Sequence, residues 1–282
     1  MTYPPSGKKA DTVFMPQDQT ICEEILLSAK QRNDKDKPLS ELLVSTGLRF
    51  VGAPYEPQTI EQGAAEPLVA NLRAFDCATF VETVVATVLA IKSGKENFGD
   101  FLSILEKIRY RKGLRDGYAS RLHYFTDWIW DNQRMGFLSD ITSQIGGVPI
   151  KKSLHEITNH RNCHKQLQDK NVFRKMRDAE TVCSRRTFHF IPKESWRPAE
   201  EKIKNGDVIA IATNKEAIDI IHAGFAVLKK KRVYVLHASS NANMVALSDT
   251  TLYRYLQQRP YRAGIIVARL TENIKINKSP TL

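Results

Sequence analysis

Cysteine is scarce in this chain: four residues, Cys22, Cys77, Cys163 and Cys183, are spread over 282 positions, and no two of them form a CxxC pair. That excludes a disulfide scaffold and a Cys-rich zinc module, and leaves individual thiols. Long apolar runs are missing too. The longest, Ala78 to Ile91, is 14 residues interrupted by Glu82, short of the ~20 that a membrane-spanning helix requires, so a soluble protein is expected. The first twenty residues hold no apolar core of the kind an export signal carries, so the chain is read either as cytoplasmic or as given without its signal. There is no βαβ alternation and no glycine fingerprint for a dinucleotide or phosphate, which removes a Rossmann reading.

What is present suits a folded enzyme-sized chain. Hydrophobic residues make up 42% and charged residues 26%, inside the globular range and far from disordered or coiled-coil compositions. The length fits one large domain or a core with an attached subdomain. Lys and Arg exceed Asp and Glu by 42 − 31 = 11, so the surface field favours polyanions, acidic membranes or acidic small substrates.

Along the chain, Ile21, Cys22, Ile25, Leu26 and Ala29 recur at helical spacing over Gln19–Gln31, and Leu39, Leu42, Leu43 and Thr46 repeat the pattern up to Gly47, which suits a helix stop. The Pro- and Gly-rich stretch FVGAPYEPQTIEQGAAEP reads as a structured loop. Asp76 then precedes CATFVETVVATVLAIK, whose β-branched residues would suit a strand but whose length decides for a helix, with Asp76 as N-cap and Gly94 as stop. So apolar a helix must be buried. Two helical patterns flank the loop RYRKGLRDGYAS between Phe98 and Asn132. From Lys151 to Arg186 ten Lys or Arg stand against four Asp or Glu with no sustained period, which reads as an insertion or lid. After residue 187 the chain turns to short β runs, TFHFIP, GDVIAIAT, DIIHAGFAVL, RVYVLHAS, NMVALS and YRAGIIVARL, so the class is α+β with a mostly antiparallel sheet.

Cys77 opens the buried helix. A helix N-terminus carries unpaired N–H groups and about half a positive charge, so the expectation is a thiol lowered from about 8.5 toward the range of roughly 3.5–7.5. The alternative is one more small buried residue. His222 and His237 shift that balance. They lie on runs joined by the basic turn LKKKR, and a hairpin turn centred near Lys229–Lys231 puts His237 opposite His222 or Gly224, with both imidazoles on one face. A thiol, a base and a group that orients the base are what nucleophilic catalysis requires, and the Cys77 N–H is available to an oxyanion.

The stretch NLRAFDCATFVETV, followed by GDVIAI, IHAGFAV and LHASS, resembles the N-acetylmuramoyl-L-alanine amidase-like family of the NlpC-type papain-like cysteine peptidases and amidases; GYASRLHYFTDWIWDN is similar as well, so the resemblance spans roughly Phe50 to Leu270. It implies an α+β papain-like core with the cysteine helix packed on a mostly antiparallel sheet, in a single catalytic domain over 1–282: N-terminal helices over 19–97, a helical or loop insertion over 98–187 that shapes the cleft, and the sheet with the histidines over 188–270. It further implies Cys77 as nucleophile, His222 as base and His237 as orienting residue. Arg121, His123 and Tyr124 would lie near the nucleophile, with Arg121 suited to hold a carboxylate in a bidentate fork. Asp219 and Ser239 would contact a peptide amine or orient a ring nitrogen. The implied substrate is peptidoglycan or a muropeptide, cut at the amide between the muramyl lactyl group and L-alanine, without metal or organic cofactor. The compartment would be periplasmic or extracellular, with cytoplasmic fragment turnover as the alternative.

Three rival readings stand beside this one. Arg109, Arg111, Lys112 and Arg115 near aromatic residues suggest a nucleic-acid or polyanion binder, although no recognition motif is present and nucleic acid is not the expected partner. His160, Cys163 and His164 in HRNCH suggest a metal site that lacks a paired second half. The same Cys/His/His chemistry also serves cleavage within the stem peptide and acyl transfer to lipids.

Overall fold

The structure, a computed structural model, describes residues 12–61 and 66–272; positions 1–11, part of the stretch read for an export signal, lie outside the described residues. A short strand β1 (Thr12–Val13) precedes helices α1 (Pro16–Gln31) and α2 (Leu39–Leu48), then β2 (Leu68–Val69), which pairs in parallel with β1. Helices α3 (Cys77–Lys92), α4 (Phe98–Arg109) and α5 (Phe125–Arg134) follow. Next come β3 (Leu138–Asp140), β4 (Val148–Ile150), α6 (Glu156–Asn159) and α7 (Lys170–Ser184). The last third holds β5 (Phe188–Pro192), α8 (Trp196–Glu200), β6 (Val208–Thr213), β7 (Ile220–Lys229), β8 (Arg232–Ser239), β9 (Met244–Leu247), α9 (Leu252–Gln257) and β10 (Arg262–Leu270).

The eight-stranded sheet runs β4-β5-β10-β6-β7-β8-β9, with β3 also on β10, and the pairings in it are antiparallel. Its central strand β6 is buried on both faces, as its unbroken apolar run requires. Alternate residues go to opposite layers. Val208, Ala210 and Ala212 join Phe225 and Leu236 against α3, whereas Ile209 and Ile211 join Val233, Val235, Trp196, Leu252 and Leu256 on the other face. The hairpin turn is Lys230–Lys231, both left-handed at φ 49 and 61, between the paired Lys229 and Arg232. That is the backbone of a two-residue hairpin loop, here without its favoured Asn-Gly.

Helix α3 is buried from Thr79 through Ile91. It forms despite its Val and Thr content because its start is closed by a capping box: the Thr79 N–H donates to Asp76 Oδ1 at 2.8 Å, and the Asp76 N–H donates to Thr79 Oγ1 at 3.0 Å. Gly94, at φ +64, follows the end. Gly47 is not the stop expected of it. It lies inside α2, where a Cβ would sit 2.8 Å from Leu236 Cδ2, so the residue permits close approach of helix to sheet.

The stretch 98–187, expected to be a helical or loop insertion that shapes the cleft, packs in more than one place. Phe101, Ile104, Leu105, Ile108 and Trp128 of α4 and α5 belong to the central core, and β3 and β4 join the main sheet. Only the basic part forms a small cluster of its own, in which Leu154, Leu167, Met176 and Cys183 pack with Tyr118 and Tyr124. Its helix α7, capped by Asp169, turns Met176 and Cys183 into that cluster, with Val172 and Phe173 packed against it. Among the described residues no helix is long and apolar enough to cross a membrane.

Candidate active site

Cys77 is the first residue of α3, partly buried, and it lines a cavity of about 260 Å³. Along α3 the same cavity is lined by Ala78 and Glu82; His222 and Asp219 come from the β7 side, and Tyr124 and Trp128 from around α5. The expectation of a lowered thiol pKa is not met. Burial pushes the Cys77 thiol up to about 12, the Asp76 carboxylate adds to this, and the N–H groups of Ala223, Cys77 and Ala78 oppose it without prevailing. The same Asp76 that caps the helix therefore works against a resting thiolate.

His222 and His237 meet directly. His222 Nε2 and His237 Nδ1 share a hydrogen bond, and the ring centroids are 4.7 Å apart at 77°. The ladder pairs Phe225 with Leu236, and by continuation Gly224 with His237, so the second of the two expected registers holds. On the other edge of β7 the pairing shifts between Ile211–His222 and Ala212–Ile220. A bulge immediately before His222 re-aims that strand end, where the cavity begins. Burial and the neighbouring imidazole and Arg262 lower His222 to about 3, and burial with Arg262 lowers His237 to about 4. Both rings are neutral at pH 7. Among the described residues no hydrogen bond joins Cys77 Sγ to either imidazole; the Ala223 N–H, next to His222, is directed at the sulfur.

The five residues expected to hold substrate separate into two groups. His123, Tyr124 and Asp219 line the cavity. His123 Nε2 lies 2.9 Å from the Tyr118 carbonyl, and burial with the Arg121 charge holds its imidazole well below the usual range. The Tyr124 hydroxyl donates to Glu180 at 2.8 Å and accepts from the Ile157 N–H at 3.3 Å, so its oxygen is already taken up. Asp219 accepts from the Thr126 N–H at 2.7 Å, the Thr126 hydroxyl at 2.8 Å and the Ile220 N–H at 2.8 Å, while burial raises its pKa. Arg121 and Ser239 are not among the residues that line the cavity. Arg121 is 3% exposed, donates to Glu61 at 2.5 Å, lies 3.4 Å from Glu66 and packs over Tyr118, so its fork is already occupied by protein carboxylates. Ser239 is buried, and its hydroxyl accepts from the Ala242 N–H in the turn after β8.

The sequence reading missed Glu82 and Trp128. Glu82 is 6% exposed, receives Arg109 Nε at 2.7 Å, and is pushed up by burial. Its signal was there to be used: a lone charge inside a 14-residue apolar run that is buried with that run requires a partner. Arg109, Arg111 and Arg115 do not form the surface patch that a polyanion reading needs, because they pair with Glu82, Asp127 and Glu106. In HRNCH, His164 bonds the Tyr118 hydroxyl, His160 bonds Glu156 and Cys163 is exposed, so the three side chains have separate surroundings. A second cavity, about 240 Å³ and bordered by Trp130 and Arg186, contains neither Cys77 nor the histidines.

A family model described as AmiA-like, N-acetylmuramoyl-L-alanine amidase-like, matches residues 45–265. Among solved structures, an N-acetylmuramoyl-L-alanine amidase from Bacteroides uniformis ATCC 8492 is 36% identical over 82% of this chain and 98% of that chain, with a TM-score of 0.77. A candidate xylanase from Bacteroides fragilis is 38% identical over 80% and 99%, with a TM-score of 0.75. A protein from Legionella pneumophila, 22% identical over 90% and 94% at a TM-score of 0.68, shares the fold. No curated protein matches the chain.

Proposed function

Because the chain belongs to the N-acetylmuramoyl-L-alanine amidase-like family, we propose that it is a cysteine hydrolase of the papain-like, NlpC-type kind that cuts the amide between N-acetylmuramic acid and L-alanine in peptidoglycan fragments. The observation that carries the reading is the hydrogen-bonded His222–His237 pair on β7 and β8, with His222 in the cavity that Cys77 opens. We take the chain as one catalytic unit, acting in the periplasm or outside the cell, where its substrate is; turnover of released fragments in the cytoplasm is the alternative. Xylan hydrolysis would need two carboxylates free for acid and base work. Of the three carboxylates that line the cavity, Glu82 is held by Arg109 and Asp219 by three donors, which leaves Glu156 without a second free carboxylate beside it.

The tautomers follow from the pair. With its Nε2 engaged by His237 Nδ1, His222 can act as a base only at Nδ1, so the bridging proton sits on His222 Nε2 and the His237 proton on Nε2. Cys77 Sγ attacks the lactyl carbonyl carbon as its proton passes to His222 Nδ1, and the Cys77 N–H at the helix start faces the developing oxyanion. The C–N bond breaks as His222 returns the proton to the leaving amine of L-alanine. Water then attacks the thioester, giving the lactyl carboxylate and the free thiol. Each charge alone is disfavoured by burial, whereas thiolate and imidazolium formed together attract each other, which suits proton transfer concerted with attack.

Incubation with a disaccharide-peptide and mass analysis of the products tests the assignment. Release of the intact peptide with a free L-alanine amine is expected; a split stem would place the enzyme among endopeptidases of the same mechanism. Cys77→Ala should lower turnover by on the order of 10³-fold or more. Full activity in that variant removes the cysteine mechanism.

A further inference from the structure

A stack of side chains from two other elements packs against the histidine pair. The Tyr255 ring of α9 lies 6.2 Å from the His222 centroid and 6.0 Å from that of His237, the latter edge-on at 87°. On Tyr255 sits Arg262 of β10, its guanidinium carbon 3.6 Å from the ring centroid. Arg262 is 5% exposed. Its Nη1 donates to the Tyr255 carbonyl and to Gln258 Oε1 at 3.2 Å, while its Nε is buried without a partner. Arg109 and Arg121, the other buried arginines among the described residues, pair with glutamates. Arg262 has no carboxylate partner among the described residues.

A buried, unpaired guanidinium is a costly arrangement, and its positive charge is felt over several ångströms in a dry interior. The groups that face the pair are few. His222 meets His237 from β8, Tyr255 from α9, the Arg262 charge from β10 and, across the cavity, Cys77 of α3 and Asp219 ahead of β7. His123, Tyr124, Glu82 and Glu156 line the same cavity. Of its three carboxylates, Asp219 is taken up by Thr126 and the Ile220 N–H, Glu82 by Arg109, and Glu156 lies beside His160. Arg262 is a cause of the lowering at both rings, and no carboxylate is among the groups that shift them.

We propose that Arg262, acting through the Tyr255 ring, is a positioning residue of the catalytic site: it fixes the orientation of the His222–His237 pair and opposes a lasting positive charge on it. The proton taken from the thiol is then held only in passing and is readily handed to the leaving amine, a step that rests on the cysteine amidase reading above. Tyr255 is the flat spacer between the guanidinium and the two rings.

The test is a histidine titration in the full-length protein without substrate, followed by NMR with labelled histidine, for the unaltered chain and for Arg262→Met and Arg262→Lys. In Arg262→Met both ring signals should titrate at higher pH, by about one unit or more, and the acid limb of kcat/KM should rise with them. Arg262→Lys keeps the charge and loses the stack, so its titration should stay near that of the unaltered protein while kcat falls. Unmoved histidine titrations in a folded Arg262→Met variant overturn the proposal. Should that variant fail to fold, Arg262→Lys decides alone: unchanged kcat overturns the proposal, and a fall in kcat with the titration kept supports it. Because the titration needs no substrate, a shift in a protein inactive on muropeptides would sink the assigned reaction and leave the role of Arg262 standing.

Discussion

Gly224 on β7 stands opposite His237 on β8, and a Cβ at Gly224 would lie 2.9 Å from the His237 Cβ, 2.8 Å from Val235 Cγ1 and 2.7 Å from the Leu236 carbonyl oxygen. The glycine thus leaves the space in which the second histidine is seated. Gly224→Ala should destabilise the protein by about 1–3 kcal/mol through overpacking and, by displacing His237, lower kcat more than it raises KM. Thermal melting together with steady-state kinetics checks both halves; wild-type kcat in this variant would mean that the seat of His237 is not critical.

The Glu82–Arg109 pair bridges α3 and α4, with Arg109 Nη1 also donating to the Val69 carbonyl at 2.5 Å. Glu82→Leu leaves a buried guanidinium uncompensated and should cost about 3–5 kcal/mol. Combining it with Arg109→Met should recover part of that loss. Urea unfolding of the two single variants and the double variant measures the coupling, and additive losses would show that the pair is not what holds the two helices in register.

Acid should weaken the fold through the histidines. His222 and His237, lowered to about 3 and about 4 in the folded chain, bind protons near pH 6.5 once unfolded. Between those values the unfolded state holds more protons, so stability is complete above pH 6.5 and falls as pH drops through the window, by up to about 1.4 kcal/mol per unit for each ring. Unfolding curves at pH 7 and pH 5 for the native chain and for His237→Phe would test the sign. A native protein equally stable at both values contradicts neutral buried rings.

Thiol reactivity offers a further check. Cys77 carries a raised pKa and Cys163 is exposed. Since the thiolate is the reactive form, iodoacetamide at pH 7.5 should label Cys163 before Cys77, with Cys22 and Cys183 slower still because both are buried and raised to about 12. Peptide mass analysis over time gives the order. Prior labelling of Cys77 would point to a preformed thiolate.

The sequence by itself determined the α3 helix, its Asp76 cap, the β7–β8 hairpin and the side of that hairpin on which two histidines meet, because cap chemistry and the period of two are local rules. It placed Cys77 at a helix start, but local rules predicted a lowered thiol. Only the tertiary structure decided otherwise, since desolvation depends on which elements cover a group and not on its neighbours in the chain. For the same reason Arg121, expected to hold a substrate carboxylate, lies buried on Glu61 and Glu66, and Tyr255, with Arg262 stacked on it, stands against the histidines although both are ordinary in sequence. Spacing along a chain fixes direction within one element; which charge faces which ring is settled by contacts between elements far apart in sequence.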